Sequence, residues 1–153
     1  MNDKIAVFPG SFSPFTLGHQ YVINRAMALF DKIIIAVGSN SSKEYYFTEE
    51  QRIQWMEDIF KDEPKVEIRK YEGLTVDFCK SIGANFILRG LRNSKDFNYE
   101  KEIAQVNQTL NEEIETIFII TSSEYSHISS TLVREVVKNG GDISKFVPKG
   151  IKI

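Results

Sequence analysis

Ten residues near the N-terminus, Gly10-Ser11-Phe12-Ser13-Pro14-Phe15-Thr16-Leu17-Gly18-His19, bring small residues, hydroxyls and an imidazole into one short stretch. They lie between the apolar run Ile5-Ala6-Val7-Phe8 and the amphipathic run from Tyr21 to Phe30, so a strand, a tight loop and a helix start are expected. A helix start offers unpaired backbone N–H groups and a partial positive charge. Small residues let an anion approach that backbone, and His19 can donate an N–H to a phosphate oxygen. The chemistry indicated is recognition of a nucleotide or another phosphorylated ligand. The loop is not a P-loop, since G-x-x-x-x-G-K-[ST] is absent, and it lacks the G-x-G-x-x-G of dinucleotide oxidoreductases. Thr16-Leu17-Gly18-His19 reads T-x-G-H, which a capped turn carrying a surface histidine also satisfies.

A second stretch, Ile128-Ser129-Ser130-Thr131-Leu132-Val133-Arg134, places consecutive hydroxyls at another expected helix start, where they can cap the helix, donate to phosphate oxygens, or both. Lys43 and the cluster Arg89-Gly90-Leu91-Arg92 add cations that also serve as solvated loop charges or surface ion pairs.

The elements that must position these groups follow from hydrophobic pattern. Residues 4–8, 32–37, 66–70, 86–88 and 116–120 read as strands, several continuously apolar, as expected for parallel strands covered on both faces. Helical patterns occupy 18–30, 48–60, 75–82, 98–111 and 129–139, the second opening on a capping box of Thr48 and Gln51. Five βα units predict an α/β fold over residues 1–153: a single Rossmann-like domain with a five-stranded parallel sheet and helices on both faces. Such sheets bind ligands beyond the carboxyl ends of their strands. Ser11 to His19, Ser39 to Lys43, Leu74 and Thr75, Arg89 to Arg92, and Ser122 to Thr131 each come just after an expected strand.

Composition narrows the classes. Hydrophobic residues are 42% and charged residues 26%, and 19 basic against 21 acidic residues argue against a nucleic-acid-coating protein. Cys79 is the single cysteine, so there is no disulfide framework, and with only His19 and His127 a tetrahedral zinc site would need carboxylates. No apolar run approaches the roughly 20 residues of a membrane span. Met1-Asn2-Asp3-Lys4 leads straight into a strand without a secretory pattern. A cytoplasmic protein with no nucleic-acid or membrane partner is expected.

T-x-G-H after the first strand together with I-S-S-T-x-x-R before the last helix resembles the nucleotidyltransferase superfamily. Class I aminoacyl-tRNA synthetases carry a related H-x-G-H, but 153 residues leave no room for their further domains. Within the superfamily, Phe8-Pro9-Gly10-Ser11-Phe12-Ser13-Pro14, Lys43, Phe47-Thr48-x-Glu50-x-Arg52, Arg89-Gly90-Leu91-Arg92-x-x-x-Asp96-Phe97-x-Tyr99-Glu100, Gln105-x-Asn107 and Ser129-Ser130 are similar to the phosphopantetheine adenylyltransferase family over nearly the whole chain. Phe8, Ser11, Ser13, Leu17 and Tyr125 depart from the tyrosine, threonine, aspartate, asparagine and tryptophan common there.

The resemblance implies transfer of AMP from ATP to 4'-phosphopantetheine, giving 3'-dephospho-coenzyme A and pyrophosphate. It also implies Mg2+, a homohexamer, and dephospho-coenzyme A or coenzyme A as product or inhibitor. His19 falls at the transition-state position and Lys43 is its catalytic companion. Ser11, Lys43, Thr75 and Arg89 fall at acceptor positions. Ser11, Phe12, His19, Gly90, Leu91, Arg92, Glu100 and the run Tyr125, Ser126, His127, Ile128, Ser129, Ser130, Thr131 fall at ATP positions. These residue types suit the reaction. The acceptor phosphate, with a second pKa near 6, is already a nucleophile, so the protein need only align two polyanions and neutralise charge on the α-phosphate. Nicotinate-mononucleotide adenylyltransferases, glycerol-phosphate cytidylyltransferases and a non-catalytic nucleotide-binding module remain open alternatives.

Overall fold

The computed structural model describes residues 2–39 and 46–153; Lys43 lies outside the described residues. Its elements run β1 (Ile5–Gly10), α1 (Leu17–Ala26), β2 (Lys32–Gly38), α2 (Glu49–Ile59), β3 (Val66–Tyr71), α3 (Thr75–Ser81), β4 (Phe86–Leu91), α4 (Ser94–Leu110), β5 (Glu115–Ile120) and α5 (Ser130–Lys138). The five strands form one parallel sheet in the order β3-β2-β1-β4-β5. Strand order therefore reverses between β1 and β4, where Val7 pairs with Ile34 on one side and Ile87 on the other. This is the expected Rossmann-like sheet.

Alternating strand residues bury two separate cores. Ala6, Phe8, Ile33, Ile35 and Val37 pack with Val22, Ile23 and Ala26 of α1, Trp55 and Met56 of α2, and Val133 of α5. On the other face Val7, Ile34, Ala36 and Ile87 pack with Val76 and Cys79 of α3. Helices thus cover both faces, which is why β2 is buried along nearly its whole length.

Several details differ from the sequence reading. β4 continues through Arg89, Gly90 and Leu91, which were expected after it, because β5 pairs with them through Phe118, Ile119 and Ile120. A Cβ on Gly90 would come within 2.7 Å of Val22 Cγ2, so only glycine lets α1 lie this close to β4. α4 begins at Ser94 rather than residue 98, because the Asn93 side chain accepts the Asp96 N–H at 2.9 Å and caps it there. α1 ends at Ala26, and the chain turns through Leu29 and Phe30, whose N–H groups both donate to Ala26 O. At α2, Thr48 Oγ1 accepts the Gln51 N–H at 3.2 Å, but the exposed Gln51 side chain does not complete the expected box.

Candidate active site

The reciprocal capping box is found instead at α1. Thr16 is the N-cap, and its Oγ1 accepts the His19 N–H at 3.3 Å. In return the Thr16 backbone N–H donates to His19 Nδ1 at 3.0 Å, with the Thr16 hydroxyl 3.2 Å from the same nitrogen. A histidine thus takes the place usually held by Glu or Gln. Because Nδ1 is an acceptor, the ring proton resides on Nε2. Phe12, Phe15 and Phe8 surround the ring at centroid distances of 5.1, 5.3 and 6.1 Å. This burial, followed by the positive charges of Arg89 and Arg92, pushes the His19 pKa down to about 3. His19 is therefore a neutral N–H donor at any physiological pH. Capping and ligand presentation are one device here, and the loop before it is held firmly. Phe12 has φ 51°, Arg134 Nη1 donates to Ser13 O at 2.6 Å, and Ser130 Oγ donates to Pro14 O at 2.8 Å.

The arginines at the end of β4 meet carboxylates one helical turn apart on α4. Arg89 donates from Nε and Nη2 to the two oxygens of buried Glu100 at 2.9 and 2.6 Å, and from Nη1 to Pro9 O at 2.6 Å. Arg92 donates to Asp96 from its backbone N–H and Nε at 3.0 Å and from Nη2 at 3.2 Å. Its Nη1 lies 3.4 Å from Ile128 O, tying β4 to the loop before α5. Partial burial works against the charge of Asp96, but these Arg92 bonds outweigh it and hold the carboxyl below its ordinary range. The spacing R-x-x-R followed by D-x-x-x-E thus encodes two ion pairs.

Two cavities open at the carboxyl end of β1 and β4. The first, about 330 Å³, is bordered by Ser11, Phe12, Gly18, His19, Arg89, Gly90, Arg92, Glu100 and residues 128–131. The N-termini of α1 and α5 both reach it, the latter capped by Ser129 Oγ, which accepts the Leu132 N–H. The second, about 230 Å³, is bordered by Tyr71, Thr75, Tyr99, Ile103, Ala104 and Asn107. Tyr71 Oη and Thr75 Oγ1 are 2.9 Å apart on its wall. Pro9, Gly10, Arg89 and Glu100 border both.

Most of the expected site residues are therefore gathered in one place. Leu91, Tyr125, Ser126 and His127 are exceptions, because their side chains are engaged elsewhere. Leu91 is buried, Tyr125 packs on Tyr21, Ser126 Oγ donates to Ser123 O, and His127 lies edge-on to Phe146. Thr75 borders the second cavity, apart from His19. Sequence reasoning assigned no site role to Asp96, Thr121, Arg134 or Asn107, all of which line a cavity. Arg134 was visible in I-S-S-T-x-x-R, and Thr121 follows a strand, the place where ligand residues concentrate. Arg52 is fully buried and donates to Ser11 O and Phe47 O, bracing the loop from below.

The described residues offer a magnesium ion few free carboxylates. No cluster of three metal-ligating side chains occurs among them, and the carboxylates bordering the first cavity, Asp96 and Glu100, are each committed to an arginine.

A parallel sheet that reverses at β1/β4, two helix N-termini on one cavity and a neutral histidine at one of them suit the binding of a nucleotide's phosphates. Residues 7–136 match the cytidylyltransferase-like family. A phosphopantetheine adenylyltransferase of Flavobacterium psychrophilum is 53% identical over 148 residues, covering 97% of each chain. One from Lachnoclostridium phytofermentans is 52% identical over 148 residues, covering 97% of this chain and 91% of its own. A bifunctional NMN adenylyltransferase/ADP ribose pyrophosphatase from Francisella tularensis superposes with TM-score 0.73 at 21% identity, over 95% of this chain and 45% of its own, a likeness of fold. The chain belongs to the phosphopantetheine adenylyltransferase family.

Proposed function

We propose that this protein transfers AMP from ATP to the phosphate of 4'-phosphopantetheine, giving 3'-dephospho-coenzyme A and pyrophosphate. The reading rests on the pair of cavities that meet at Arg89 and Glu100. One has phosphate-binding features; the other mixes aromatic, aliphatic and amide groups suited to a pantetheine arm. A phosphate at their junction can attack the α-phosphorus directly, in line, with no nucleophilic side chain and no general base.

In this scheme ATP lies against Ser11, Phe12, Gly90, Arg92, the backbone of Leu91 and of residues 125–127, and the segment 128–131, with Ser129, Ser130 and Thr131 supplying hydroxyl and N–H donors. Arg92 and the two helix tips hold the departing phosphates. His19 Nε2–H donates to the α-phosphate oxygen as charge gathers there. Glu100 accepts from a nucleotide hydroxyl. Ser11, Thr75 and Arg89 receive the acceptor, and Lys43 is its second cation. Mg2+ carried on the ATP phosphates would offset part of their charge, with Asp96 and Glu100 the nearest carboxylates of this chain.

Among the described residues no helix is long and apolar enough to cross a membrane, and the cytoplasm is the proposed location. α4 buries only Glu100, while Tyr99, Ile103, Val106 and Leu110, which share one helical stripe, stay exposed. That uncovered apolar face supports a homo-oligomer, with a hexamer as the proposed order. Dephospho-coenzyme A or coenzyme A, spanning both cavities, would bind as product or inhibitor.

The test is pyrophosphate release from ATP with 4'-phosphopantetheine, pantetheine lacking its phosphate, and nicotinate mononucleotide, each repeated with CTP. Turnover with ATP and 4'-phosphopantetheine alone is expected. Equal turnover with the unphosphorylated acceptor, or preference for nicotinate mononucleotide or CTP, would overturn the proposal.

A further inference from the structure

Arg89 and Glu100 are the charged residues shared by the two cavities, and each occupies much of the other's hydrogen-bonding capacity. Glu100 takes the Nε–Nη2 edge of the guanidinium, the edge that would otherwise grip an incoming phosphate side-on. Pro9 O takes Nη1. Three of the five N–H groups of Arg89 are thereby spent within the protein. Arg92 and Asp96 form a similar pair, but they border the first cavity only.

We propose that Glu100 is a positioning residue for Arg89 and that their pair makes occupation of the two cavities mutually reinforcing within one protomer. This rests on the reading that the first cavity takes ATP and the second 4'-phosphopantetheine. A phosphate dianion entering beside Arg89 meets two obstacles: the guanidinium is engaged, and a buried carboxylate lies next to it. A nucleotide hydroxyl donating to Glu100 relieves both. It competes with Arg89 for the carboxylate oxygens, which loosens the grip on the guanidinium, and it spreads the negative charge facing the phosphate. The sequence works equally in reverse, because acceptor phosphate on Arg89 leaves Glu100 oxygens short of a donor that the nucleotide supplies. The cost of opening the buried pair is met once and serves both ligands. Linkage then requires the same factor in either order of addition.

The experiment is calorimetric titration of 4'-phosphopantetheine into the full chain, with and without saturating α,β-methylene ATP, a nucleotide that cannot react. In the wild type the nucleotide should tighten the acceptor at least about fivefold, the lower end of ordinary coupling between sites. The 2',3'-dideoxy form of the same nucleotide should tighten it less. Glu100→Gln, checked for folding by its melting curve, should bind both ligands with the ratio reduced below about twofold. Asp96→Asn should keep the wild-type ratio, since its pair touches one cavity. Independent binding in the wild type, an unchanged ratio in Glu100→Gln, or equal loss in Asp96→Asn would overturn the proposal. Failure of the wild type to bind 4'-phosphopantetheine at all would instead overturn the functional reading beneath it. The wild-type and dideoxy measurements stand even if Glu100→Gln fails to fold.

Discussion

Replacing His19 by alanine removes two things that the geometry joins. One is the Nε2–H donor facing the first cavity; the other is the Nδ1 acceptor of the Thr16 N–H. Loss of one positioned transition-state donor lowers kcat by about 10²–10³, or about 2.7–4 kcal/mol. Loss of the capping partner destabilises the fold by about 1 kcal/mol. A second substitution separates these effects. In His19→Gln the side-chain carbonyl can accept the Thr16 N–H, restoring an ordinary capping box, and with that carbonyl turned to Thr16 the amide N–H is drawn away from the place of Nε2. Steady-state kinetics beside thermal melts should show His19→Ala slow and slightly less stable, and His19→Gln comparably slow with its stability recovered. KM for ATP should move much less than kcat in both. A folded His19→Ala enzyme retaining kcat within about threefold of wild type would refute the donor role, since a lost donor costs a hundredfold or more.

Other outcomes follow from the same geometry. A Cβ on Gly18 would meet nothing closer than 3.5 Å, so Gly18→Ala should melt like wild type while raising the ATP KM on the order of tenfold, about 1.4 kcal/mol. Gly90→Ala should lose about 1–3 kcal/mol in denaturant titrations, because its Cβ would meet Val22 at 2.7 Å. His19 titrates near 6.5 when unfolded and about 3 when folded, so protons favour the unfolded chain between those values. Its contribution to stability is complete above pH 6.5 and declines as pH falls towards 3. The stability difference between wild type and His19→Gln should therefore shift against the wild type from pH 7.5 to pH 5, and a constant difference would contradict the assigned tautomer and burial.

What the sequence revealed was local chemistry. T-x-G-H was readable because a strand end, a capping threonine and a histidine three residues later interact without the rest of the chain. The parallel sheet was readable because β2 is apolar at every position between Ile33 and Val37. The end of β4 was not, because Arg89 and Gly90 break the apolar run and are kept in the strand only by β5. The start of α4 was hidden for a similar reason: Asn93, Ser94 and Asp96 are residues that also favour loops, and the cap bond decides between the two. The pairing of Arg89 with Glu100 is tertiary, and a motif that marks both residues as ligand contacts gives no sign that they first contact each other. Tyr125 and His127 show the converse, since a run assigned as a unit divides once packing turns individual side chains towards Tyr21 and Phe146.

The central claim is direct transfer between two adjoining cavities, with no enzyme-bound adenylyl group. It is tested most directly with ATP whose α-phosphorus is made chiral by sulfur and isotopic oxygen, converted to dephospho-coenzyme A by this protein. A single in-line displacement predicts inversion of configuration at that phosphorus. Retention would require two displacements through a covalent intermediate, and would contradict the account.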